Sequence, residues 1–198
     1  MDQRYPSRPQ ALSVQPVPEV GDRAPSLGRD VRFPSDRPVV VVFLRHCGCP
    51  FAEKTFKTFT KFSTDHPEIR CVAVSQSSTQ ETDAWIIEVG GEWEVHVIVD
   101  ESLDLFKLWG LGQTSTWYAY SPWTVWSAVK LGKEEGIWNR EQQTGSRFQQ
   151  GGAFAVDSSG FVRWAKPAQT AEEIPNFKEA LRALRLPLTA RTKRNGLA

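Results

Sequence analysis

Cysteine is scarce in this chain: Cys47, Cys49 and Cys71 are all it has in 198 residues. Three thiols cannot build a framework of paired disulfides, the device by which small secreted domains compensate for thin cores. Charge imbalance is equally slight, at +1 from 24 basic and 23 acidic side chains. That excludes the electrostatic footprint of a nucleic-acid or anionic-membrane binder. No apolar stretch approaches the roughly 20 residues that span a bilayer, so no membrane span is expected. Met1-Asp2-Gln3-Arg4-Tyr5-Pro6 lacks the apolar core of a secretory signal. Together these absences predict a cytoplasmic, reducing setting in which a reactive thiol can be regenerated. The length suits one domain with a sizeable core and room for an insertion.

The chain is built around residues 38–62. Val39-Val40-Val41-Val42-Phe43-Leu44 is an unbroken, largely β-branched apolar run, the pattern of a central strand covered on both faces. Arg45-His46-Cys47-Gly48-Cys49 makes a tight turn, and Pro50 suits the first turn of a helix, where its missing N–H costs nothing. Ala52, Phe56, Phe59 and Phe62 then repeat at helical spacing, with Lys54, Lys57 and Lys61 opposite them. Cys49 therefore stands immediately before a helix, where free N–H groups and the positive end of the macrodipole converge on its sulfur, and Arg45 is near in sequence. That setting favours the thiolate and makes Cys49 the candidate nucleophile. A buried residue that merely begins a helix is the plainer reading of the same position.

Along the rest of the chain, residues 1–19 are rich in Pro, Gln and Ser and read as a flexible arm. Gly21-Asp22-Arg23-Ala24-Pro25 starts ordered structure with a turn and an edge segment. Residues 69–75 form the next strand, in which Cys71 reads as packing. Ser78 offers an N-cap for a helix running to about Val89, closed by Gly90-Gly91. Residues 95–99 make a third strand, and residues 103–109 a short helix. This alternation predicts parallel strands with crossover helices. Residues 112–147 break the pattern as an aromatic-rich insertion. Pro122 begins a helix to about Leu131 with Trp123 and Trp126 along one side, and a polar loop follows. Residues 153–164 carry a hairpin signature with a turn closed by Gly160. A last amphipathic helix is predicted over residues 171–184, and the basic tail from residue 187 reads as a solvated end. His66 and His96 are isolated, and no second Cys/His pair stands at zinc spacing beside His46, Cys47 and Cys49.

Three strands with helices between them, an insertion, a hairpin and a helix give an α/β thioredoxin-like fold, a mixed sheet flanked by helices over residues 20–186. At this point the chain resembles the AhpC/TSA, peroxiredoxin-like branch of the thioredoxin superfamily. It looks closest to the peroxiredoxin-like 2 group that includes prostamide/prostaglandin F synthase, and to uncharacterised fungal and bacterial members. The resemblance rests on Val20-Gly21-Asp22-Arg23-Ala24-Pro25, on Val42 through Glu53, and on Gln149 through Asp157 with Gly160. It implies an antioxidant thiol oxidoreductase with no bound cofactor, recycled by glutathione or by a thioredoxin-type partner protein. There are departures from the family pattern. His46 and Val42 stand where ordinary peroxiredoxins carry Thr and Pro. Their usual Arg is missing near Gly151. Ala52 replaces the second cysteine of a Cys-x-x-Cys pair, and Gly152 stands near the cis-proline place of thioredoxins.

The resemblance assigns roles. Cys49 attacks the O–O bond of a peroxide or endoperoxide and becomes a sulfenic acid. Arg45 stabilises the charge, and His46 gives a proton to the leaving oxygen. Cys47 has three readings: core packing, a resolving thiol for Cys49, or a metal ligand. Pro50, Glu53 and Gly152 border the site, and Glu53 has two readings, orienting Arg45 or lying on the helix surface. Trp117, Trp123 and Trp126 roof it for a small apolar substrate. Sheet cover or the contact of a homodimer are the competing readings of those aromatics. Two functions of other classes stay open: a biosynthetic enzyme of secondary metabolism without peroxidase activity, and a non-catalytic binding module.

Overall fold

The computed structural model describes residues 12–29 and 31–185. The predicted basic tail at 187–198 and most of the predicted arm lie outside these residues. Five strands, β1 (Val39–Phe43), β2 (Arg70–Ser75), β3 (Val95–Val99), β4 (Gly152–Val156) and β5 (Val162–Pro167), form one sheet in the order β3-β2-β1-β4-β5. β1, β2 and β3 run parallel, while β4 is antiparallel to β1 and β5 to β4. The parallel half follows from the crossover helices α1 (Pro50–Asp65) and α2 (Thr79–Glu88), and the antiparallel half from the hairpin closed at Gly160. Three helices follow β3: α3 (Asp104–Leu108), α4 (Thr116–Tyr120) and α5 (Pro122–Glu135). α6 (Phe177–Arg185) ends the described chain.

β1 is buried along its whole length and divides its side chains between two cores. Val40 and Val42 face Phe56 and Phe59 of α1, Trp85 of α2 and Phe177 of α6. Val39, Val41 and Phe43 face Phe106 and Trp109 at the end of α3, together with Leu27 and Val31. This two-sided burial is why the strand reads as a continuous apolar run rather than an alternation. The segment at Asp22–Ala24 lies along β5, with Arg23 paired to Phe161. Residues 15–18 are also held: Gln15 N–H donates to Lys107 O at 2.9 Å, and Val17 packs against the second core.

Two helix bounds differ from expectation. α5 runs on past Leu131 to Glu135, ending where Gly136 takes a left-handed conformation at φ 70°. α6 begins at Phe177 rather than near Ala171, because Pro175 biases Ile174 away from helix and Asn176 Oδ1 accepts from the Lys178 N–H to start the first turn.

Candidate active site

The turn from β1 into α1 places Cys49 at the N-cap of α1 with extended backbone, φ −85° and ψ 124°. Its N–H donates to His46 O at 3.0 Å, closing the turn, and its own carbonyl accepts from the Glu53 N–H at 3.1 Å. The side chain is 3% exposed and packs beside Phe51 and Ala52 against Ala128 and Leu131 of α5. Arg45 supplies the polar partner. Its Nη1 donates to Cys49 Sγ at 3.2 Å, its Nη2 donates to Arg147 O at 2.7 Å, and its guanidinium lies 5.5 Å from the centre of the Tyr118 ring. The guanidinium thus divides its fork between the sulfur and a backbone carbonyl, an arrangement a flexible ammonium does not reproduce.

His46 is 4% exposed, and its Nδ1 is buried without a hydrogen-bond partner. Burial, then the positive charges of Arg45 and Arg147, lower its pKa to about 3. An imidazole so placed is neutral at pH 7 and carries a single ring N–H. Tyr118 is pushed up to about 12, chiefly by burial, against the opposing pull of Arg45. Its hydroxyl is also buried without a partner.

Cys47 turns the other way. It packs in the first core with Phe56 and Trp85, beside the hydroxyls of Ser75, Ser77 and Thr82, and Ser77 Oγ accepts its N–H at 3.3 Å. Burial pushes its thiol up, partly offset by those hydroxyls. All three cysteines are free thiols, and Cys71 is pushed up to about 12 by burial inside β2. No group of three or more His, Cys, Asp or Glu side chains suited to a metal ion occurs among the described residues.

The stretch over residues 112–147 covers this turn, and the structure redraws which of its residues matter. A cleft of about 260 Å³ opens beside Cys49 under Ala119, Thr124, Val125, Ala128 and Trp138. Trp117, Trp123 and Trp126 do not line it. They are 72%, 64% and 52% exposed, with Trp123 and Trp126 stacked on each other at 4.9 Å on the outer face. The inward face of α5 carries Thr124, Ala128 and Leu131 instead, with Ala128 and Leu131 packed on the cluster of Cys49, Phe51 and Ala52. Gly152 also lies off the cleft, under Leu111 and Pro167. It is Gly151 that borders Arg45, where an added Cβ would stand 3.0 Å from Phe43 O and 3.5 Å from the Arg45 Cγ.

Glu53 does not orient Arg45. Its buried carboxylate accepts from Lys57 Nζ at 2.6 Å and from Arg140 Nε at 2.9 Å. Burial pushes Glu53 up, and these two cations outweigh it and hold the carboxyl below its ordinary range. Arg140 in turn ties the strap of residues 138–147 across the Cys-Gly-Cys turn, its N–H donating to Gly48 O at 3.1 Å. Gly48 has to be glycine: a Cβ there would stand 2.7 Å from Arg140 O. Glu81 accepts from the Thr144 N–H at 2.8 Å, and Gln76 exchanges two bonds with Ser146, so the strap is fixed along its length. Pro50 fills the first position of α1 and is buried, as its lack of an N–H allows.

Sequence reasoning missed Arg147, which lines the cleft through a polar loop that carries no periodic signal. The departure from the family pattern near Gly151 was its only pointer, since a site short of one guanidinium invites a search for another.

A family model described as AhpC/TSA antioxidant enzyme matches residues 55–170, beginning within α1 just past Cys49. No curated protein matches the chain. Among solved structures, a peroxiredoxin-like protein from Aquifex aeolicus superposes with a TM-score of 0.60 at 18% identity, covering 86% of this chain and 88% of that one. The thiol peroxidase from Chromobacterium violaceum gives 0.59 at 15% identity, with 87% and 89% covered. A mutant of peroxiredoxin 6 from Arenicola marina gives 0.56 at 16% identity, with 84% and 71% covered. At these identities the likeness is one of fold: a thioredoxin-like mixed sheet flanked by helices. No helix among the described residues is long and apolar enough to cross a membrane.

Proposed function

The chain belongs to the AhpC/TSA antioxidant enzyme family, and from that premise we propose that it reduces organic peroxides through Cys49. The observation that carries this reading is the 3.2 Å bond from Arg45 Nη1 to Cys49 Sγ at the start of α1, inside a cleft with an apolar wall. A charge-assisted donor of this kind stands ready to stabilise negative charge on sulfur as it attacks and on oxygen as it leaves.

In the proposed reaction the Cys49 thiolate attacks the sulfur-facing oxygen of R–O–OH. An S–O bond forms as the O–O bond breaks, and RO⁻ departs and takes its proton from water. The sulfenic acid then condenses with an external thiol, releasing water and leaving a mixed disulfide. A second thiol attacks that disulfide, freeing Cys49 and carrying off the oxidised pair. Glutathione or a thioredoxin-type protein fills this role, and the placement of Cys47 in the opposite core supports an external donor over an internal one. An endoperoxide of the prostaglandin F synthase kind offers the same bond to the same sulfur. One oxygen would leave as alkoxide and the other stay on sulfur as an ester that a thiol displaces.

The test couples organic hydroperoxide consumption to NADPH oxidation through glutathione with its reductase, and separately through thioredoxin with its reductase. The wild type should turn over with one donor and Cys49→Ser with neither. Turnover that survives in Cys49→Ser would remove the sulfur from the chemistry.

A further inference from the structure

Residues 117–129, which make up most of α4 and the first half of α5, hold no charged side chain. Their buried contribution is Ala119 and Thr124, and Ala128 packs on the Cys49 cluster. The larger apolar groups face outward. Trp117, Tyr120, Trp123 and Trp126 are each at least half exposed, and Val125 and Val129 extend the surface along α5. Trp123 and Trp126 stack on each other at 4.9 Å, so the centre of this surface is already ordered.

Its size decides what it means. At about 150–250 Å² for a whole aromatic side chain, the exposed parts of the four rings come to roughly 550 Å². The largest apolar patch on a typical monomer is about 300–600 Å², so the rings alone reach that ceiling before the two valines are added. A specific pairing of two chains buries about 1,200–2,000 Å² in total, or about 600–1,000 Å² from each. The six side chains therefore supply most of one copy's share. A centre rich in Trp and Tyr and free of charge is also the composition of an interface core.

The rim selects the occupant. Where the apolar run ends, Lys130, Lys133, Glu134 and Glu135 follow, all exposed, two of each sign. Lys130 Nζ lies 5.4 Å from the centre of the Trp126 ring and 3.9 Å from Glu134. An anionic bilayer gains nothing from a balanced rim. A two-fold arrangement does, because it sets the same surface against itself. Two α5 helices lying antiparallel bring Lys130 and Lys133 of one copy to the Trp123 end of the other, where ring faces attract cations.

We propose that the α4–α5 face is the interface of a homodimer, with Trp123 and Trp126 at its centre. This assembly stands apart from the chemistry at Cys49 and holds whether or not peroxides are reduced.

Sedimentation velocity on the full chain, from about 1 to 100 μM, tests it. The wild type should approach twice the 22.3 kDa chain mass as concentration rises. Trp126→Ser should raise the dissociation constant at least about 30-fold, as loss of a central interface tryptophan does, and Trp123→Ser together with Trp126→Ser should leave a monomer. Trp93→Ser, at an equally exposed tryptophan after α2, should dimerise as the wild type does. These side chains are exposed, so the variants keep the fold, and circular dichroism verifies it. A wild type that stays monomeric at about 100 μM overturns the proposal, as does a dimer that persists in the double variant. A monomer that co-floats with phosphatidylcholine vesicles and loses them in the double variant also overturns it, giving the face to a lipid surface instead.

Discussion

Replacing Arg45 separates the contribution of the guanidinium from that of the helix start. Arg45→Met keeps much of the length and apolar stem of the side chain and removes two donated bonds, one to Cys49 Sγ at 3.2 Å and one to Arg147 O at 2.7 Å. A hydrogen bond to a charged group contributes about 1.5–3 kcal/mol. If the Sγ bond is worth that much to the reactive form of Cys49, its loss slows attack at pH 7 by about 10- to 150-fold, at about 1.36 kcal/mol per factor of ten. Arg45→Lys restores charge but cannot reach Sγ and the Arg147 carbonyl together, so it recovers only part of the rate. The assay is the second-order rate of Cys49 alkylation by iodoacetamide, followed by peptide mass. Cys47 and Cys71 serve as internal references, because burial holds both thiols up and makes them slow. An Arg45→Met protein that is folded yet alkylated at the wild-type rate would refute the reasoning, leaving the helix N-terminus as the whole cause.

Gly48→Ala should destabilise the fold by about 1–3 kcal/mol in urea, because the new methyl meets a backbone carbonyl that cannot swing aside, and it should open residues 138–147 to proteolysis. A stability equal to wild type would mean that the strap yields freely. His46 carries a folded pKa of about 3, below its ordinary 6.5. The unfolded chain therefore binds a proton that the native one does not, and this contribution, fully present above about pH 6.5, is lost as pH falls towards 3. His46→Gln should flatten the acid limb of the urea midpoint against pH, and an unchanged limb would show that the imidazole is not buried neutral. Ala128→Phe should cut kcat/KM for organic hydroperoxides at least about tenfold by filling the cleft, whereas Trp123→Ser on the outer face should leave it unaltered. Equal effects of the two would place the substrate elsewhere.

The parts of the fold that were legible in the sequence are those decided by local periodicity. Val39 to Phe43 and the Phe56, Phe59, Phe62 series specify β1 and α1, and between them they put Cys49 at a helix start. The parts that were not legible depend on segments far apart in the chain. Glu53 belongs with Arg140, and Arg45 with the carbonyl of Arg147, pairings that only the folded path of the strap creates. α5 shows the limit of pattern reading most clearly. Trp123, Trp126 and Lys130 follow helical spacing and look like a packing stripe, yet the packed face is Thr124, Ala128 and Leu131. Hydrophobicity alone favours the tryptophans. The Cys49 turn packs against Ala128 and Leu131 instead, and a single sequence does not state which face of the helix meets it.

The central claim is that Cys49 is the sulfur that meets the oxidant. Intact-mass analysis of the fully reduced protein after one equivalent of hydroperoxide, with a sulfenic-acid trap present, tests it most directly when wild type, Cys49→Ser and Cys47→Ser are run side by side. The account predicts one trapped adduct in wild type and in Cys47→Ser and none in Cys49→Ser. An adduct that persists in Cys49→Ser, or folded wild-type protein that takes none, would contradict it.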